Sequence, residues 1–149
     1  MRIIWILLPF GFAAGAALAV QFSINAQLRA FVGGPMVAAT ISFFVGTLAL
    51  FATSLIGRQS WPLGGAIEHA PWWVWVGGLL GAFYVLATIV LVPRVGAGLT
   101  VGLVVAGQIV ASILIDHFGL MRVPVHEASL PRIIGAALIV VGVVLVQRF

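Results

Sequence analysis

Five stretches of about twenty apolar residues follow one another along this chain, each closed by arginine, proline or a glycine-rich turn. About 20 such residues are what an α-helix needs to cross the hydrocarbon of a bilayer. The runs cover about 3–28, 35–56, 72–92, 98–116 and 133–146, the last being the shortest. None shows the strict alternation of a barrel strand, and backbone polar groups left unpaired in lipid are prohibitive, so all five are expected to be helical. The expected fold is an all-α integral membrane protein, a single transmembrane domain over residues 1–149 with five transmembrane helices. Composition closes off the soluble alternative, because 63% hydrophobic and 7% charged residues cannot coat a water-soluble domain. Cysteine is absent, which excludes disulfides, thiolate zinc sites and thiol catalysis.

The net charge of +4 comes from seven arginines against three acids. The arginines stand singly at the ends of apolar runs, a pattern of interfacial anchors rather than a nucleic-acid footprint. With five spans, Arg2, Arg58, Arg122 and Arg132 fall on one side and Arg29, Arg94 and Arg148 on the other. Arginines in short loops set orientation, and a bias of one residue leaves two readings open. The chain either inserts in one orientation with the four-arginine side in the cytoplasm, or inserts both ways and forms an antiparallel dimer with the inverted symmetry that alternating access uses. The partner would be a second copy, or a homologous subunit of opposite orientation. Ala17, Leu18 and Ala19 resemble a signal-peptidase site, but the apolar run continues to Leu28, so the first segment is expected to stay as a span. Trp61, Trp72 and Trp73 flank the connection before the third run and suit an interfacial belt.

Glycines four apart, Gly11 with Gly15, Gly77 with Gly81 and Gly98 with Gly102, permit close helix contact, within one protomer or at a dimer seam. Gly135 and Gly142 point to the seam. Polar residues inside the spans say more, because each costs free energy in hydrocarbon and calls for a cavity or another helix. Gln21 and Asn25 lie one turn apart on the first helix, Ser42 lies one turn before Gly46 on the second, and Tyr84 one turn before Thr88 on the third. Gln108, Ser112 and Asp116 form a single stripe on the fourth. Gln21, Asn25, Ser42, Tyr84, Gln108 and Ser112 are the candidate substrate-binding residues, lining a polar cavity walled by Trp5, Phe43 and Tyr84. The alternative is interhelical hydrogen bonding with no ligand.

Asp116, followed by His117, stands at a helix C-terminus, where the macrodipole disfavours an anion. It needs an arginine or an imidazole as partner, or holds a proton, so the two residues are assigned a coupling or structural role. His69 and His126 lie near Glu68 and Glu127 without metal-binding spacing, so no metal or cofactor is expected. No catalytic triad, phosphate-cradling loop or carboxylate pair can be assembled, and the chain is not expected to be an enzyme.

The segments QFSINAQL (21–28), ATISFFVGT (39–47) and above all GQIVASILIDHFGL (107–120) resemble the YdcZ-like family of short bacterial membrane proteins, over essentially the whole chain. The ending GAALIVVGVVL (135–145) is similar to the last helix of the wider drug/metabolite transporter superfamily. The resemblance implies a five-span protein of the bacterial inner membrane, from single or paired genes or fused repeats of opposite orientation. It favours Gln21, Asn25, Ser42, Gln108, Asp116 and His117 as the residues that matter. Small multidrug transporters of that superfamily carry a membrane glutamate in the first helix, and this chain has none there, so their glutamate-based antiport does not transfer. The function expected is a transporter protomer moving a small metabolite or organic ion by alternating access. A nontransporting scaffold and a dual-topology ion channel are the competing classes.

Overall fold

The computed structural model describes residues 4–149; Arg2 and Ile3, where the first helix was expected to begin, lie outside the described residues. Five α-helices follow in order: α1 (Ile4–Val32), α2 (Pro35–Ile56), α3 (Leu63–His69), α4 (Gly77–Phe118) and α5 (Leu130–Arg148). A 3-10 turn over Trp72–Val76 leads into α4, and no strand occurs among the described residues. Among the described residues, four segments are long and apolar enough to cross a membrane: α1, α2, Trp72–Phe118 and α5. Their side chains are turned outward: Phe12 is 82% and Phe31 86% exposed. Such surfaces are tenable against hydrocarbon or another apolar protein surface, and not against water.

Local chemistry explains the element ends. Gly33 has φ 78, a left-handed turn that favours glycine, and Pro35 at the start of α2 fits a position whose N–H has no helical partner. At the other end of α2 the Gly57 N–H donates to Thr53 O at 2.9 Å. Helix α1 runs four residues beyond the expected end at Leu28, and α5 extends past both expected ends. The connection 58–71 contains the short α3, which has no apolar run of span length to announce it.

The third and fourth expected spans fall within one helical segment, Trp72–Phe118, of 47 residues. Its backbone leaves helical geometry at Gly96, with φ 83 and ψ 163. The turn expected from Pro93 to Gly96 is thus concentrated in its last residue, and the backbone stays helical through Pro93 itself.

The chain divides into two compact units, Met1–Pro93 and Arg94–Phe149. In the first, the core is formed by Ala38 and Ala39 of α2 with Val85 and Ile89 of α4, packed against Leu28, Val32 and Tyr84. The two alanines let the helices approach closely, and Phe22 meets Tyr84 edge-on with ring centroids 5.6 Å apart. In the second unit, Gly102 faces α5 so closely that a Cβ there would lie 2.9 Å from a methyl of Val143, while Gly98 faces Val146. That small pair is a contact inside this unit. A Cβ at Gly11, Gly15, Gly77, Gly135 or Gly142 meets nothing within 4 Å.

Candidate functional site

In the first unit, Gln21 of α1 and Ser42 of α2 line a cavity of about 200 Å³ with Phe43, Gly46, Thr47, Leu50 and Val85. Helical periodicity brings these groups together, because Ser42, Gly46 and Leu50 repeat every four residues on α2 and share one face. The hydroxyls of Thr40, Thr53, Ser54, Thr88, Thr100 and Ser112 each donate to a carbonyl three or four residues earlier, which engages the donor of each and leaves only its oxygen as an acceptor. Those of Ser42 and Thr47 make no such bond among the described residues. They face the cavity as free donors and acceptors, beside a carboxamide that can do both.

Asn25 lies one turn beyond Gln21 and is 3% exposed. Its Nδ2 has no hydrogen-bond partner. A buried amide left unpaired costs about 1–3 kcal/mol, so a partner that satisfies it gains that much. Tyr84 is half-buried against Phe22 and, like Asn25, does not border this cavity, while Trp5 is 74% exposed near the start of α1.

The second unit holds Gln108, Ser112, Asp116 and His117. Gln108 and Ser112 are exposed on α4. Asp116 Oδ2 is paired with Arg132 Nη2, and Arg132 Nη1 donates to His126 O at 2.9 Å. The geometry that joins them begins at Gly119, whose φ of 59 ends α4 in a left-handed cap. The loop then folds back. His126 N–H donates to Asp116 O at 3.0 Å, taking up a carbonyl that the helix end leaves free. Ala128 N–H donates to His117 Nδ1 at 3.2 Å, which fixes that nitrogen as an acceptor. Asp116, His126, Glu127 and Arg132 border an open cavity of about 530 Å³. Among the described residues, no cluster of His, Asp and Glu could hold a metal ion.

From the sequence, Arg132 is an interfacial anchor and orientation signal, and which arginine answers Asp116 stays open. Its pairing with Asp116 spans 16 residues and depends on the return path of the loop, for which spacing gives no signal. Thr47 was likewise unremarked, although its neighbour Gly46 stood on the Ser42 stripe.

The comparisons with known proteins agree with this architecture. Residues 6–145 match the family described as "Putative inner membrane exporter, YdcZ". Over 142 residues the chain is 34% identical to the inner membrane protein YdcZ of Escherichia coli (strain K12), an alignment that covers 95% of this chain and 94% of that one. No solved structure matches. With its apolar spans and a match along nearly its whole length, the chain belongs to the YdcZ family of inner membrane proteins.

Proposed function

We propose that the chain is one protomer of a small-solute exporter that crosses the membrane five times and works by alternating access as a dimer of oppositely oriented subunits. The observation that carries this reading is the cavity of Gln21, Ser42 and Thr47, a hydrogen-bonding pocket set within apolar helices. Polar groups held at that expense in a membrane bundle mark a solute path. Two features support the finer points. The break at Gly96 divides the 47 residues of Trp72–Phe118 into two lengths that each suit one bilayer crossing. Gln108 is an exposed carboxamide on α4 between apolar neighbours, and an opposed copy would cover it and add its amide to the path. The near balance of arginines between the two sides permits that opposed copy.

Transport is tested by counterflow in reconstituted vesicles. Saturable, temperature-sensitive exchange is expected, and it should be lost in Gln108→Ala while the protein still assembles. Conductive flux would indicate a channel instead, and no flux of any kind a scaffold.

Orientation has its own test, because the natural chain has no thiol. Gly34 has extended backbone with φ 179, and a Cβ there meets nothing within 4 Å, so Gly34→Cys is free of strain. An impermeant thiol reagent is expected to label about half of the population from each face of the membrane, as the near balance of arginines between the two sides permits. Labelling from one face alone would replace the antiparallel homodimer with a pairing to a second, oppositely oriented subunit or with a parallel assembly.

A further inference from the structure

Phe43 borders two spaces at once. On one side lies the polar cavity of Gln21, Ser42 and Thr47, about 200 Å³ in volume. On the other lies a groove of about 460 Å³ between α2 and the first part of α4, bordered by residues such as Met36, Ala82 and Phe83. The groove is largely apolar: Thr40 is the one polar side chain among the lining residues, and its hydroxyl already donates to Met36 O at 2.9 Å. It opens sideways: Met36 is 64% and Phe83 71% exposed on the outer surface of these helices. A hydrogen-bonding pocket and a lipid-facing groove therefore share a single aromatic wall, whose ring has Gly81 behind it and no bulkier side chain at that position.

Among the described residues, no ionisable side chain borders either space. An isolated ion moved into such surroundings would lack a counter-charge and be strongly disfavoured, whereas an uncharged head would find carboxamide and hydroxyl partners. From the shared wall at Phe43 and the uncharged, hydrogen-bonding lining, we infer that this protein takes an uncharged amphipath. The hydrogen-bonding head sits in the Gln21 cavity and the apolar tail lies across Phe43 in the groove. The assignment deepens the exporter reading and rests on the Gln21 cavity being the transport site.

The test is equilibrium binding to the full chain in nanodiscs of phosphatidylethanolamine and phosphatidylglycerol, with partition into empty discs subtracted. The probes are phenylpropanamide, its charged analogues phenylpropionate and phenylpropylammonium, and propanamide, which has the head without the tail. Phenylpropanamide should bind roughly tenfold more tightly than each of the other three. Gln21→Leu should weaken it by about tenfold, and Phe43→Ala should erase its advantage over propanamide. The charge series on the natural protein stands even if a variant fails to fold. Equal or tighter binding of a charged analogue overturns the inference, and so does retention no greater than in empty discs, which would mean that bilayer lipid alone fills the groove. Counterflow of a charged solute without amide binding sinks the inference and leaves the exporter reading intact. Amide binding without exchange upholds the inference and sinks the exporter reading.

Discussion

Gly96→Val should lower the stability of the assembled protein by about 3 kcal/mol, more than any single substitution on the outer faces of the helices. At φ 83 and ψ 163 this residue occupies a region of backbone space that is essentially reserved for glycine. A β-branched side chain there clashes with its own backbone. If the variant relieves the clash by adopting the helical angles of its neighbours, Trp72–Phe118 becomes one helix of 47 residues. At about 1.5 Å per residue that helix would be about 70 Å long, over twice the roughly 30 Å of hydrocarbon it would have to match. Asparagine, which often replaces glycine in the ordinary left-handed region, should not rescue this position. Pro93→Ala should cost less than Gly96→Val, because the backbone at Pro93 is already helical and alanine restores a missing N–H donor. The measurement is the midpoint of a graded SDS titration of the purified protein in mild detergent, with membrane yield as a second readout. A Gly96→Val protein with the natural midpoint would mean that the chain does not need this break.

Apolar run length made the helices legible in the sequence, since few folds other than a helical bundle accept such runs. That Gln21 and Ser42, two of the six polar residues expected to converge, border one cavity was legible for a related reason. A polar residue inside a span has few places to go, so facing another polar residue across a helix contact is a strong expectation. Pro93 and Gly96 both signal a break, but proline tolerates helical φ and only disturbs a hydrogen bond, whereas the Gly96 geometry excludes other residues. Sequence alone ranks them equally. The helix Leu63–His69 was hidden because it is seven residues long, less than two full turns of period, too short for periodicity to register. The setting of Asp116 was half legible. Its position at a helix end demands a partner, but which of several arginines answers depends on a loop with left-handed backbone at Gly119, Met121 and Arg122. Two of those three are not glycine, so composition gives no hint of the turn.

Asp116 and Arg132 each stand at the helix end that opposes their charge. Asp116 is in the last turn of α4, where free carbonyls make the local potential negative, and Arg132 is in the first turn of α5, where free N–H groups make it positive. Mutual attraction therefore offsets two unfavourable placements, and removing either partner leaves the other alone against its dipole. Asp116 is 24% and Arg132 35% exposed at the side chain, so the pair is only partly screened by solvent. A coupling of about 2 kcal/mol follows, between that of an exposed pair and that of a buried one. Arg132→Ala also removes the hydrogen bond to His126 O, which ties the returning loop to α5. In a double-mutant cycle, Asp116→Ala should cost about 2 kcal/mol and Arg132→Ala about 3 kcal/mol, while the double variant should cost little more than Arg132→Ala alone. The readout is again the SDS midpoint, and protease access to the bond after Arg122 should rise in all three variants as the loop loosens. Strictly additive losses would mean that the two charges act independently, and the loop would then be held by its two backbone donors, at His126 and Ala128, rather than by the ion pair.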